Sequence, residues 1–379
     1  MTISPGVAYG LVWAGFAAYL GALVWAPRLG RRLVWTAIVV FVVLFACLPP
    51  LLSHDVHSYV DYARLGVLHG LDPYVDPPLS APSDPAFSQV TWTETTSAYG
   101  PLFTLATYPL AWLPVEAAVY VIKAVSAAAL LATAYLVSRL APARGIDPTR
   151  AAAFVALNPL VLVHVVGGPH NDGLAVLLMT LGIAAVLTAR ETSAGAALAA
   201  AIAIKPSTAI AAPFALLATL NQRPTGLKTI YISALSPVGR LLAGGIAAAL
   251  VIGGVAWIAF DWNWLHAFAL AGENQGRTSH LSIPITTARL TGLDPTLVRT
   301  AALALYAALV IYLLAWTHQT GDWLRATAWA TTGLLLATSW LLPWYLLWPL
   351  PAAALSRDRP LQLLLLGLTA YQLGARIPL

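Results

Sequence analysis

Apolar runs separated by short charged turns set the pattern of this chain. Residues 7–26 and 33–52 each approach the ~20 residues that cross a hydrocarbon core, and Arg28, Arg31 and Arg32 lie between them. Further spans follow near 114–140, 241–260, 297–316, 326–342, 344–355 and 361–373. Two more, near 151–166 and 174–188, enclose the tight turn Gly167-Gly168-Pro169-His170-Asn171-Asp172. Residues 101–113 read as a short re-entrant or interfacial helix. Residues 194–220 read as a hairpin of two short helices broken at Lys205-Pro206, because proline stops a helix and a lysine is tolerated better at a water-filled cavity than in lipid. The predicted fold is all-α, a polytopic bundle of about 11–12 membrane helices, short and re-entrant ones included. It forms one integral-membrane domain over residues 1–379, with no repeat of fixed period.

One segment departs from the spanning pattern. From Asp55 to His69, Val56, Val60, Ala63 and Val67 share one helical face, while His57, Asp61 and Arg64 share another. A short amphipathic helix is therefore predicted along the outer membrane surface, stopped by Gly70 and Pro73.

Composition agrees with a bilayer as solvent. With 59% hydrophobic and 9% charged residues, a soluble chain of 379 residues would have to bury more apolar surface than such a chain normally can. The net charge of +5 needs only the usual excess of Lys and Arg on the cytoplasmic side, so no nucleic-acid partner follows. The single Cys47 excludes an internal disulfide framework and a cysteine-based zinc site. The first apolar stretch lacks a basic start and reads as a retained helix.

Charge also orients the chain. Arg28, Arg31, Arg32, Arg139, Arg144, Arg150, Arg190, Arg223, Lys228, Arg325, Arg357 and Arg359 all call for an inner position, which places the N-terminus and the loop after residue 52 outside. Of the 15 acidic residues only Asp147, Glu191, Asp322 and Asp358 then fall inside. The expectation is a multi-pass protein of the plasma (inner) membrane whose aqueous site faces outward, built on outer loops near 53–100 and 261–295. Asp55 begins the amphipathic helix, where a helix N-terminus favours its ionised form. It either caps that helix or serves chemistry with the crowd of His54, His57, Tyr59, Asp61 and Tyr62 around it.

Several motifs run in order along residues 50–355. They are Asp55-Val56-His57-Ser58-Tyr59, Leu71-Asp72-Pro73-Tyr74, Tyr99-Gly100-Pro101-Leu102, Leu157-Asn158-Pro159-Leu160, Gly168-Pro169-His170-Asn171-Asp172, Lys205-Pro206 and Pro343-Trp344-Tyr345-Leu346-Leu347-Trp348-Pro349. In this succession the chain resembles the polyprenyl-phosphate-mannose-dependent α-1,6-mannosyltransferases of actinobacterial envelopes, the MptA/MptB group. The resemblance implies the GT-C membrane glycosyltransferase fold, a lipid-phosphate sugar donor, and a catalytic base in the first outer loop, at the position of Asp55. It departs from the group in its shorter length and in His57.

Inverting transfer from a polyprenyl phosphate needs a base for the acceptor proton and a cationic pocket for the departing phosphate. Candidates for the phosphate are Lys205, Arg277, His280 and Lys123, Lys205 first because a broken helix pair also offers backbone amides. Lys123 has a second role open to it, snorkelling to the interface with Glu116. Sugar and acceptor, a cell-envelope glycan or glycolipid, are expected at His54, His57, Tyr59, Asp61, Tyr99, His170, Asn171, Asp172, Trp262 and Trp344. Tryptophans such as Trp92, Trp262, Trp264 and Trp344 equally suit an interfacial belt, and residues 167–172 equally suit helix-end satisfaction. The spacing of His54, Asp55 and His57 matches no metal motif, and no metal or cofactor is expected. A transporter or flippase of lipid-linked sugars is the rival reading. It predicts inverted repeats and polar groups near the midplane, whereas one Lys-Pro break and one-sided polar residues are seen. A structural scaffold would leave the outer acid and cations without a purpose.

Overall fold

The structure, a computed structural model, describes residues 5–221, 235–273 and 276–375. Arg223 and Lys228 lie outside the described residues. In chain order the helices are α1 (Pro5–Leu29), α2 (Arg31–Cys47), α3 (Asp55–Leu68), α4 (Pro101–Thr107), α5 (Val115–Leu140), α6 (Pro148–Ala156), α7 (Asp172–Leu187) and α8 (Glu191–Ile204). They continue as α9 (Ala211–Leu220), α10 (Pro237–Phe260), α11 (His266–Glu273), α12 (Ile283–Thr291), α13 (Pro295–Thr320), α14 (Trp323–Ala337), α15 (Leu350–Ala354) and α16 (Arg359–Ala375). No strand occurs among the described residues, and the all-α expectation holds.

By length and apolarity, α1, α5, α10 and α13 can each cross a membrane. A fifth candidate is α6 with the π-helical turn Val161–Gly167, bent by 63°. The sequence pattern suggests one unbroken span there. The break follows from Asn158-Pro159: the Asn158 Oδ1 accepts the Leu160 N–H at 3.0 Å, and its Nδ2 donates to Thr369 Oγ1 at 3.0 Å. A buried amide thus satisfies the interrupted backbone and ties it to α16. Helices α7, α8 and α9 are apolar but too short to span alone.

Side-chain contacts order the ends of the bundle. Tyr9 Oη donates to the Gly374 carbonyl at 3.3 Å, so the start of α1 and the end of α16 share one end. At the opposite end Arg144 pairs with Asp322 at 3.4 Å, and Arg325 with Asp358 at 2.6 Å. Arg240 meets Glu191 at 3.0 Å, and Asn221 Nδ2 donates to the Thr317 carbonyl at 3.3 Å. The first residue of α8 and the residue after α9 therefore lie at the basic end, with the Lys205 break at the other. This is the hairpin that the charge pattern calls for.

Amphipathic α3 forms as predicted, and a long loop with 3-10 turns at Pro78–Ser80 and Phe87–Gln89 covers its polar side. Arg64 Nε donates to Asp84 Oδ1 at 2.8 Å and its Nη1 to the Ala111 carbonyl at 3.0 Å, while Tyr62 Oη donates to the Thr95 carbonyl at 2.6 Å. The loop ends where Gly100 donates its N–H to the Ile204 carbonyl at 3.2 Å, one residue before Lys205. A Cβ at Gly100 would strike the Ala203 carbonyl, so only glycine brings the two backbones this close.

Close approach also defines the packing of α8 on α10. A Cβ at Gly195 would strike the Leu241 carbonyl, and one at Gly244 the Thr192 carbonyl, the small-residue contact by which helices associate in lipid. Gly195→Ala is expected to cost about 1–3 kcal/mol through overpacking against backbone that cannot yield. Gly254→Ala, where a Cβ meets nothing within 4 Å, should be neutral. Thermal melting of the two purified variants in detergent checks this; equal midpoints would contradict it.

Candidate active site

Chain breaks from four places meet at the end of the bundle away from the pairs of Arg144, Arg240 and Arg325. Lys205 is extended (φ −149°, ψ 114°), because Pro206 ends α8 and starts a 3-10 turn, Pro206–Ile210. Its ammonium reaches Asp172 Oδ2, at the first residue of α7, at 2.7 Å. The other oxygen of that fully buried carboxylate accepts the Trp348 indole N–H at 2.6 Å. Trp348 ends the turn Pro343–Leu347, and the Lys205 ammonium also lies 5.0 Å from the Tyr345 ring centroid and 5.5 Å from that of Trp348. Short charge-assisted bonds and two aromatic faces together stabilise a lysine that lipid would reject.

Asp55 enters from α3. Its carboxylate caps nothing: Ser53 Oγ accepts the Asp55 N–H at 3.3 Å, and the residue in the capping position, His54, makes no side-chain cap. Instead its Oδ2 lies 3.5 Å from His170 Nδ1. The His170 ring stacks on Trp344 at 3.5 Å between centroids and 16° between planes. Burial, then the Lys205 charge, pushes the His170 imidazole well below its ordinary range, so the ring beside Asp55 stands neutral. The Asp55 carboxyl is raised by burial, with Lys205 and the Trp92 indole pulling it back. The sequence suggests that the helix N-terminus keeps Asp55 acidic; desolvation outweighs that effect and makes it a better proton acceptor.

A cavity of about 460 Å³ lies between these groups. Asp55, His170, Asn171 and Lys205 line one part of it. Asn171, Ser207 and His170 line the cavity, and within the protein both Asn171 amide atoms, Ser207 Oγ and His170 Nε2 are left without a hydrogen-bond partner. Arg277 lines another part, its guanidinium 5.0 Å from the Trp92 ring and 5.8 Å from that of Trp340. It has no acidic partner within salt-bridge distance among the described residues. Tyr59 and Tyr99 form a wall, edge to face at 4.7 Å, with the Asn171 N–H donating to Tyr59 Oη at 3.5 Å.

The structure thus brings together Asp55, Tyr59, Tyr99, His170, Asn171, Lys205, Arg277 and Trp344, with Asp172 beneath them. Other candidates lie outside the cavity lining. Lys123 is fully buried, and its ammonium donates to the Val166 and Gly167 carbonyls, so it satisfies the end of the π-helical turn and does not reach out to Glu116. His280 is exposed, Trp262 is 64% exposed, and His54 and His57 stack loosely on each other at 5.9 Å. Trp340, Tyr345, Trp348 and Ser207 line the cavity although the sequence reading gives them no role. The signal available for three of them is the aromatic spacing after Pro343 and Trp340 in a segment too broken to span.

Comparison with known proteins decides the family. The family model described as "Alpha-(1->6)-mannopyranosyltransferase, N-terminal domain" matches residues 2–221. The chain is 30% identical, over 91% of its length, to alpha-(1->6)-mannopyranosyltransferase A of Mycobacterium tuberculosis. The chain belongs to this family. It is a glycosyltransferase, and Asp55, His170, Asn171, Asp172 and Lys205 all fall within the stretch matched by the family model. The alpha-(1->6)-mannopyranosyltransferase A of Corynebacterium glutamicum is 27% identical over 69% of the chain. The chain spans 70% and 59% of the lengths of these two relatives, and no solved structure matches it.

Asp61, on α3, titrates above the ordinary carboxyl range. It is buried with neither carboxylate oxygen hydrogen-bonded within the protein, and burial, then Asp84, pushes it up to about 7. Burial also raises Asp84, but hydrogen bonds from Arg64, His69 and Ala86 outweigh it and leave that carboxyl below its ordinary value. For Asp61 the folded pKa exceeds the unfolded one, so the folded state holds the extra proton and stability falls as pH rises from about 4 to 7. Asp61→Asn should flatten that slope and raise the melting temperature at pH 8. Melting curves between pH 5 and 8 check this; an unchanged slope would contradict it.

Proposed function

We propose that this glycosyltransferase moves a mannosyl group, with inversion, from a polyprenyl-phosphate donor to a cell-envelope glycan or glycolipid. It works as one membrane domain on the outer face of the plasma membrane. The observation that carries the reading is that a carboxylate of raised proton affinity and a lysine at a helix break face one cavity of about 460 Å³. An acceptor hydroxyl attacks the anomeric carbon, and the bond from that carbon to the phosphate oxygen breaks. The electron pair leaves with the phosphate and the acceptor proton passes to Asp55.

Charge in the pocket suits a departing phosphate. Asp172 neutralises Lys205, so Lys205 offers its remaining N–H donors more than net charge. Arg277 supplies the uncompensated cation across the cavity, and the Asn171 amide and Ser207 hydroxyl supply neutral donors. Neutral His170, fixed against Trp344, orients the Asp55 carboxylate. Tyr345 and Trp348 offer apolar faces of the kind that a sugar or the first isoprenoid unit would meet.

The reading separates two kinds of variant. Asp55→Asn should fold and hold donor with little change in apparent KM, yet lose kcat by ~10²–10⁴-fold, the usual worth of a positioned base. Lys205→Ala and Arg277→Ala should raise the donor KM much more than the acceptor KM. Steady-state kinetics of purified enzyme with polyprenyl-phosphate mannose and an oligomannoside acceptor measure both. Near-normal turnover in Asp55→Asn, or an unchanged donor KM in well-folded Lys205→Ala, would sink the corresponding assignment.

A further inference from the structure

At the opposite end of the bundle from Asp55 lies a second cavity, of about 300 Å³, into which Arg150, Arg357 and Arg359 converge beside Gln362 and Pro27. Arg150 belongs to the first turn of α6, Arg359 opens α16, and Arg357 sits in the turn before it. An adjoining space of about 570 Å³ shares Arg357 and Arg359. The acids nearby are already engaged. Asp322 holds Arg144 at 3.4 Å, and Asp358 holds Arg325 at 2.6 Å and the Trp329 indole at 2.8 Å. Asp147 accepts the Arg150 backbone N–H at 2.7 Å as the cap of α6. None of Arg150, Arg357 and Arg359 has a carboxylate partner within salt-bridge distance among the described residues.

A general excess of arginine at one end of a membrane protein explains which end these residues occupy. It does not explain why they meet in a cavity, nor the backbone of Arg357. With φ 56°, Arg357 is left-handed, a conformation that costs any residue with a Cβ and persists where the surroundings impose it. That backbone carries its guanidinium to the turn at Gly145, where a Cβ would lie 3.6 Å from Nη1. Two helices, α6 and α16, also begin at this cavity, and Asp147 and Asp358 accept their first-turn N–H groups, so the positive charge of the cavity is that of the three guanidiniums. Forked donors around a concave, cationic space suit tetrahedral oxyanions.

We propose that this pocket is a binding site for a phosphate-bearing anion, separate from the transfer site. The chemistry is shared by the headgroup of an anionic phospholipid and by a soluble phosphate compound. Native mass spectrometry of the purified full chain in detergent distinguishes them, with phosphatidylglycerol, phosphatidylcholine and inorganic pyrophosphate as separate probes. The expected result is retention of phosphatidylglycerol over phosphatidylcholine, lowered at least about tenfold in the combined variant Arg150→Gln, Arg357→Gln and Arg359→Gln. Arg289→Gln, at the other end, should behave as wild type. If pyrophosphate alone binds and the combined variant loses it, the site stands with a soluble ligand. Arg357→Gly guards against misfolding: it relieves the left-handed backbone, so it should melt no lower than wild type and still bind less. Equal retention of every probe by wild type and Arg357→Gly, or no binding of either anion by wild type, would overturn the proposal.

Discussion

The ion pair between Lys205, at the cavity wall, and fully buried Asp172 is the constraint on which the rest of the site depends. Each charge comes from a place where a helix begins or breaks, and neither could stand alone in a low-dielectric bundle without large cost. Pairing them fixes the start of α7 against the break between α8 and α9. The Trp348 indole on the second carboxylate oxygen adds the broken segment after α14 to the same knot. Gly100, hydrogen-bonded to the residue before Lys205, fastens the long loop after α3 there as well. Segments far apart in sequence are thereby held in one arrangement, and the cavity is the space they leave.

The same pair sets the electrostatics of its neighbours. Lys205 draws Asp55 toward its ionised form while desolvation pushes the other way, and desolvation wins. The identical charge, added to burial, keeps His170 neutral, so Asp55 has a neutral ring and not a cation beside it. A base that is desolvated but not paired with a full charge keeps its affinity for a proton. Arg277 lines the same cavity from a separate segment, close to two indoles, and its charge has no acidic partner within salt-bridge distance among the described residues.

Much of the architecture was legible in the sequence because a bilayer reduces the problem to apolar length, helix breakers and the placement of arginine. The Lys205-Pro206 break and the helix that starts at Asp55 both follow from such signals. The bend inside 151–166 was not legible, because its cause is an amide reaching Thr369, far away in sequence. Asp172 illustrates the same limit. Its spacing suggests a sugar ligand, whereas its carboxylate is consumed by Lys205 and Trp348. Lys123 was ambiguous between anion and interface, and the carbonyls it satisfies are exposed only by a π-helical turn that no local pattern announces. Residues that act by contact with solvent or membrane are visible in composition; those that act by pairing across the bundle require the fold.

The central claim is that Asp55 and Lys205 address opposite ends of one bond in the donor. A cryo-electron microscopy structure of the enzyme with a non-hydrolysable polyprenyl-phosphate mannose analogue tests it most directly. The account predicts a phosphate oxygen within hydrogen-bonding distance of Lys205 Nζ, about 3 Å, with the anomeric carbon turned toward the space in front of Asp55. A donor phosphate seated elsewhere, with Lys205 still bound only to Asp172 and the sugar turned away from Asp55, would contradict it.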